Sequence, residues 1–213
     1  EENAQAAERF VLYLDLLNTT PREYLAIKPG LKQFLDDISR RNAEVMVAGL
    51  LPTGKLGIFA PFTKEFIKLK MLIDKAPANA SRDTTEESRH RELEHIMEGA
   101  GADAIDSIRA GYSAARTYAK ADQQSSEFTL HALESFAQHM IDQDFGGHLI
   151  ILYVSGGFSS DPGRDYFDEV DELAKNSVEE EEMFSFSNER NFNFDFKKEM
   201  QKSIGKMNRL NVT

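Results

Sequence analysis

The sequence predicts an α/β protein arranged as a three-layer sandwich, with an open, mostly parallel sheet between helices on both faces. Two almost unbroken apolar runs, residues 10–14 and 148–154, are typical of central strands in a parallel sheet. The long stretch between them carries several helical patterns, which would supply the crossovers that parallel strands need. Leu14 and Ile151 are therefore expected to be fully buried. Four strands can be counted before Thr213.

The composition is that of a globular domain and excludes several classes of partner. The chain has 213 residues, of which 41% are apolar and 29% charged, and its formal charge is −11. This charge argues against nucleic acid and against an anionic membrane surface as partners. Because there is no cysteine, disulfides and thiolate metal sites are excluded. No apolar run approaches the length of a membrane span, so direct membrane insertion is not expected.

The chain reads as one main domain with two insertions. Residues 1–9 are mostly polar and are expected to be a linker, and residues 10–213 form the domain. Within it, the very polar helical stretch 84–124 and the acidic, Phe-rich stretch 176–195 are predicted to be insertions. Since the chain starts at Glu1 and shows no signal-peptide core, it is expected to be a processed or excised piece.

The first half of the chain predicts a helix and a hairpin after the opening strand. A helix is expected to open at Lys28-Pro29-Gly30, with an apolar face at i, i+3, i+4 and i+7 formed by Leu31, Phe34, Leu35 and Ile38. Residues 43–51 and 55–60 predict two strands of an antiparallel hairpin around a Pro-Thr-Gly turn. Thr63 is predicted to be the N-cap of the next helix.

The second half predicts mostly helices. A capping box at Thr84 and Glu87 opens a polar helix, residues 99–101 interrupt it, and a break at 120–126 separates two further helices, the second capped by Ser126. After the strand at 148–154, the pattern predicts a short acidic helix, a Phe-rich hairpin and a last helix. Their expected ranges are residues 165–175, 184–196 and 196–208.

Asp15 is the first candidate for the centre of a site. It directly follows the first apolar run, and open α/β sheets bind ligands at the carboxyl ends of their strands. The polar residues Asn18 and Thr19 follow it and cannot continue the strand. A purely structural role, in which Asp15 accepts hydrogen bonds at the strand end, is the alternative.

Three motifs resemble those of a von Willebrand factor A (vWA) domain. They are Asp-Leu-Leu-Asn-Thr at residues 15–19, Ala-Pro-Phe-Thr-Lys at 60–64 and Ile-Leu-Tyr-Val-Ser-Gly-Gly-Phe at 151–158. The resemblance covers residues 10–213 and is closest to the bacterial VWFA-related branch. Because sheets of this family have six strands, the resemblance implies that the sheet lacks its last strands. It implies a non-catalytic module for adhesion or complex assembly in a bacterial envelope or a secreted complex.

The resemblance also implies a degenerate metal-ion-dependent adhesion site. In the family, aspartate, serine and threonine oxygens hold a divalent cation, which suits Mg²⁺ or Ca²⁺. Asp15, Thr19 and Ser155 match three of these positions, whereas Leu17 and Gly156 stand where two further oxygen ligands are expected. The expected site is weak or empty, so no cofactor is implied beyond a weak Mg²⁺ or Ca²⁺ interaction. Candidates for the remaining family threonine are Thr129 and Ser126, and candidates for a compensating carboxylate are Asp161 and Asp165.

The expected ligand is a protein, either a different partner or a second copy of the chain, which could supply missing strands. The residues predicted to contact it are Asp15, Asn18, Thr19, Ser155, Gly156 and Gly157. Because Gly156-Gly157 is not followed by Lys-Ser or Lys-Thr, a phosphate-binding loop is not expected there.

An alternative is a haloacid-dehalogenase-like phosphotransferase that uses Asp15 as its nucleophile. That family places a second carboxylate two residues later to protonate the leaving group, and Leu17 cannot do this. Lys55 and Thr53 could stand for its phosphate-holding groups.

His90 and His95 are five residues apart and do not share a helical face as metal ligands would, so they are interpreted as solvated.

Overall fold

The computed structural model describes residues 8–76, 80–98, 104–143, 149–157, 163–175 and 196–209. These residues form an α/β fold with four strands and six helices. The interruption at 99–101, the hairpin turn within 184–195 and the chain end at 210–213 lie outside the described residues. The elements are β1 (Glu8–Asp15), α1 (Pro21–Ser39), β2 (Ala43–Leu50), β3 (Leu56–Thr63), α2 (Phe66–Lys75), α3 (Ala80–Glu98), α4 (Ala104–Asp142), β4 (Leu149–Ser155), α5 (Arg164–Lys175) and α6 (Phe196–Arg209).

The strands form one open, mostly parallel sheet in the order β3-β2-β1-β4. β1 is parallel to both neighbours, and β2 and β3 form the predicted antiparallel hairpin. Leu14 in β1 is buried as expected. Ile151 is only half-buried, so its expected full burial was wrong. The reason is its position, because β4 pairs only with β1 among the described strands and does not lie in the middle of the sheet.

Both faces of β1 pack against apolar side chains of helices. Phe10, Leu12 and Leu14 share one cluster with residues of α1 and α2. Val11 and Tyr13, which point to the opposite face, share another with Phe136 and other residues of the C-terminal part of α4. β1 is therefore buried on both sides, which explains its continuous apolar sequence.

α1 begins one and a half to two turns earlier than the sequence suggested. Thr20 is its N-cap and forms a capping box with Glu23, and Pro21 occupies the first turn, where proline is well tolerated. The predicted start at Lys28 was wrong because this stronger start signal precedes it, and Pro29 lies inside the helix. The predicted apolar face is confirmed: Leu31, Leu35 and Ile38 are buried, and Phe34 packs against the same cluster.

Three other predicted helix boundaries were wrong. Thr63 does not cap α2, which begins at Phe66; its hydroxyl accepts a hydrogen bond from the Glu65 amide instead. α3 begins at Ala80, so Thr84 lies inside it. α4 runs without the expected break at 120–126, a stretch with no glycine or proline, and the Ser126 hydroxyl donates to the Asp122 carbonyl one turn earlier.

The chain divides into two compact units. The first comprises Glu1–Arg82, Thr129–Gly157 and Gln201–Thr213, and it contains the sheet. The second comprises Asp83–Phe128 and Phe158–Met200, and its core joins α3, the N-terminal part of α4, and α5. In α5, Phe167 and Val170 are buried as expected, whereas Leu173 is half-buried.

An ion pair lies among the aromatic rings of the second unit. The Arg89 guanidinium lies over the rings of Tyr118 and Tyr166 and donates to the Asp122 carboxylate at 2.7 Å. Such a pair fixes the packing of α3 against α4.

Within the described ranges, no helix is long and apolar enough to cross a membrane.

Candidate functional site

Asp15 lies at the carboxyl end of β1, between the ends of two neighbouring strands. It is in register with Leu50 of β2 on one side and Ser155 of β4 on the other. The side chain is completely buried, with 0% exposure. A carboxylate in this position requires hydrogen-bond donors from the protein, because it has lost its contact with water.

Three residues donate to the Asp15 carboxylate, and all of the donors are neutral. Oδ1 accepts the backbone N–H of Asn18 at 3.2 Å. Oδ2 accepts the Asn18 side-chain amide at 2.9 Å, the Tyr153 hydroxyl at 2.7 Å and the Ser155 hydroxyl at 3.0 Å. β4 supplies two of the donors because Tyr153 and Ser155, two residues apart, point to the same face of the sheet.

Asn18 also connects Asp15 to α4. Its Nδ2 atom donates both to Asp15 Oδ2 and to Thr129 Oγ1, each at 2.9 Å. Thr129 is fully buried and is one of the two threonine or serine candidates named from the sequence. The other candidate, Ser126, bonds instead within its own helix. A side-chain amide therefore bridges the two oxygen-bearing groups.

Thr19 joins the end of β1 to the loop after β4. Its hydroxyl donates to the Asp15 backbone carbonyl at 2.6 Å and accepts the Gly156 N–H at 2.8 Å. In the same loop, the Gly157 N–H donates to Ser155 Oγ at 3.2 Å. All six residues predicted to bind a ligand thus belong to one hydrogen-bonded network. The structure brings them together, although Asp15, Asn18 and Thr19 are buried.

Gly156 is glycine because a side chain would not fit. A Cβ atom at this position would lie 2.1 Å from Glu23 Oε2 and 2.8 Å from the Asn18 carbonyl oxygen. The Glu23 carboxylate is held there by the capping box, in which it accepts the Thr20 N–H at 2.8 Å. The start of α1 thus occupies the space that an aspartate at position 156 would need.

Tyr153 and Tyr13 lie side by side beneath the carboxylate. Their rings are stacked with centroids 5.9 Å apart. Burial, together with the nearby Asp15 carboxylate, raises the pKa of both phenols, so Tyr153 stays protonated and able to donate. The Tyr13 hydroxyl is buried and has no hydrogen-bond partner among the described residues.

Two members of the site, Tyr153 and Glu23, were missed from the sequence. Tyr153 precedes Ser155 by two residues in a predicted strand, so its shared face with Ser155 could have been inferred. Glu23 follows Thr20 by three residues, which is the spacing of a capping box.

The other candidates lie on other elements or outside the described residues. Asp161 lies outside the described residues, and Asp165 is exposed in the first turn of α5. Thr53 and Lys55 are exposed in the turn between β2 and β3. His95 is exposed, as expected, and His90 pairs with Glu169. Within the described part of the chain, no group of three or more His, Cys, Asp or Glu residues could hold a metal ion.

Comparisons of the chain with protein-family models, with curated proteins and with solved structures gave no match. The interpretation of the site therefore depends on its own geometry.

Proposed function

We propose that the chain is a non-catalytic, vWA-like module that binds a protein or peptide partner through the loops at the carboxyl ends of β1 and β4. In this proposal, the fold is a three-layer sandwich and the module acts in adhesion or assembly in a bacterial envelope or a secreted complex. The sheet order β3-β2-β1-β4 and the position of Asp15 support it. The observation that carries its non-catalytic part is that the buried Asp15 carboxylate accepts four hydrogen bonds, all from neutral donors of the same chain.

A catalytic or strong metal-binding role would need a free oxygen on Asp15. A carboxylate offers about four lone-pair positions on its two oxygens, and Oδ2 alone already accepts three hydrogen bonds here. The side chain is also inaccessible to a substrate. These contacts disfavour the phosphotransferase alternative, in which Asp15 would attack a phosphorus atom.

The Asn18 amide takes over the connecting role that a cation has in the family. A bound divalent ion would hold the first loop against the threonine of a second loop, and the amide holds Asp15 against Thr129 in the same way. In this proposal, these hydrogen bonds order the loops. The partner would contact their rim, where Leu17, Ser155 and Gly157 are half-buried.

Site-specific photo-crosslinking tests this proposal. A photoreactive amino acid would replace Arg22, which is exposed in the first turn of α1 beside these loops, and the matched control would replace Arg40 at the opposite end of the same helix. In the native cell, position 22 should give a discrete protein adduct that persists in EDTA, and position 40 should not.

Equal labelling from both positions, or no adduct from position 22, would refute the binding surface. An adduct lost in EDTA would show instead that a metal ion completes the site. Hydrolysis of aryl phosphates by the purified chain that disappears in Asp15→Asn would replace the binding module with an enzyme.

A further inference from the structure

A groove on the first unit lies between α2 and β3, away from the Asp15 network. Its volume is about 450 Å³. The floor is mostly apolar, and the charged residues at its edge are both lysines. The lining residues are Phe59, Lys68, Met71, Leu72, Lys75 and Ala76.

α2 is apolar on more than the side that packs into the core. Leu69 and Ile73 are completely or almost completely buried against the sheet. Met71 in the groove is nevertheless 53% exposed, and Ile67, one turn earlier, is 78% exposed. A surface helix normally carries polar residues on the side away from the core. Ile67 and Met71 are four residues apart on one face of α2, so with the groove they form a continuous exposed apolar area, which is typical of an interaction surface.

The charge of the groove has the opposite sign to that of the whole chain. Lys68 and Lys75 are seven residues apart on one helical stripe, about 10 Å along the axis at 1.5 Å per residue. Lys75 makes no ion pair with the described residues, and Lys68 has only an exposed pair with Glu65, of a kind that contributes little. The two lysines make this groove locally complementary to an acidic, apolar partner, although the chain as a whole is negatively charged.

We propose that this groove binds an acidic amphipathic helix of a partner protein. The apolar residues of that helix would cover Met71 and Leu72, and carboxylates two turns apart would pair with Lys68 and Lys75. Carboxylates spaced seven residues apart on one face of a helix match the spacing of the two lysines. The surface is separate from the loops around Asp15, so this proposal does not depend on the proposed function.

Fluorescence anisotropy with a synthetic peptide tests the proposal on the full chain. The probe is a helical peptide with leucines at i, i+3, i+4 and i+7 and glutamates beside them, and the matched control peptide has lysines in place of those glutamates. The acidic peptide should bind at least tenfold more tightly than the basic one. Its affinity should fall as sodium chloride is raised, because exposed charges are screened.

The variant Lys68→Glu/Lys75→Glu should weaken binding of the acidic peptide at least tenfold, and Met71→Ser should weaken it severalfold. Lys55→Glu is the control, since Lys55 is exposed but outside the groove. Circular dichroism melts would verify that each variant is folded, and Lys68→Gln/Lys75→Gln serves if the charge reversal is not. Equal binding of both peptides, or binding insensitive to the groove variants, would overturn the proposal. So would lysine-dependent binding to phosphatidylserine vesicles without peptide binding, which would assign the groove to a membrane surface.

Discussion

Asp15 and Asp74 both accept several side-chain hydrogen bonds, but in opposite surroundings. Asp15 is completely buried at the end of β1 and receives only neutral donors. Asp74, near the end of α2, has a side chain 42% exposed and pairs with Lys28 and Lys32 of α1 at 3.0 and 2.7 Å. The buried carboxylate depends on its partners because water cannot replace them, whereas the exposed one would be hydrated without them.

This difference distinguishes the Asp15 network, which stabilises the fold, from the charged side chains around α2, which can exchange their ion-pair partners. Replacing a donor to Asp15 leaves another polar group unsatisfied inside the protein, so the network behaves as one unit. The lysines around α2 can release one carboxylate and accept another in water. A partner would therefore contact loops held in place by hydrogen bonds at the ends of β1 and β4. At α2 it would contact charged side chains that can change their ion-pair partners.

Asp15→Ala should have the largest effect on the stability of the protein. It removes the acceptor for the Asn18 amide and for the Tyr153 and Ser155 hydroxyls, which stay in or near the interior. Urea unfolding followed by circular dichroism should show a loss on the order of 3 kcal/mol. Asp15→Asn is the matched control, since it keeps the shape and one acceptor oxygen, and should lose about half as much. Unchanged stability in the alanine variant would show that the network is not structural.

Gly156→Ala should have the next largest effect. Its Cβ would collide with the Glu23 carboxylate and with the Asn18 carbonyl, so the loop or the start of α1 must move. We expect a loss of about 1–3 kcal/mol in the same unfolding measurement, the usual range for overpacking. Glu23→Ala by itself loses the capping box, but in that background Gly156→Ala should cost less, because one of the two obstacles is the Glu23 side chain. Gly157→Ala makes no such contact and serves to measure the separate effect of its positive φ. Equal losses with and without Glu23 would exclude that carboxylate as the obstacle.

Much of the sheet could be predicted from the sequence, and the reason lies in its local patterns. The apolar run before Asp15 identified a strand buried on both faces, and the Pro-Thr-Gly turn identified the hairpin of β2 and β3. The partial exposure of Ile151 could not be read from an equally apolar run, because the place of a strand in the sheet depends on its neighbours. The unbroken α4 shows the same limit: Ser126 is a good cap residue, but a hydroxyl can also bond back to the preceding turn.

The candidate site was predictable as a set of residues but not as a network. Asp15 and Ser155 end two neighbouring strands and Thr19 follows the first of them, so their proximity follows from a parallel sheet. The bond from Asn18 to Thr129 spans 111 positions and depends on how α4 packs, which no local pattern contains. The clash at Gly156 likewise needs the position of the Glu23 side chain.

Substitutions at Tyr13 and Tyr153, whose rings stack on each other, should have smaller effects on stability. Tyr153→Phe removes a donor to Asp15 and should cost about 1 kcal/mol in urea unfolding. Tyr13→Phe removes a buried hydroxyl without a partner among the described residues, so it should be neutral or stabilise by up to about 1 kcal/mol. Each variant is the other's control, because the two rings are stacked neighbours. A loss in Tyr13→Phe as large as that in Tyr153→Phe would indicate that a buried water satisfies the Tyr13 hydroxyl.

Asp74→Asn should have the smallest effect, and its pH dependence shows why. Hydrogen bonds from Lys32 and then Lys28 lower the pKa of the Asp74 carboxyl. A lowered pKa in the folded state gives stability that is present above the unfolded pKa, about 4 for aspartate, and is lost as the pH falls through the folded pKa. The carboxylate is exposed, so that contribution is strongly screened.

At neutral pH, the unfolding midpoints of wild type and Asp74→Asn should agree within error in 0.5 M sodium chloride, taken as about three times physiological ionic strength. Any difference at low salt should be lost as the pH falls through the lowered pKa of folded Asp74. Lys68→Gln, an exposed change elsewhere on α2, is the control. A salt-independent loss approaching that of Asp15→Ala would mean that water does not replace the lysines at Asp74, and the contrast between the two aspartates would fail.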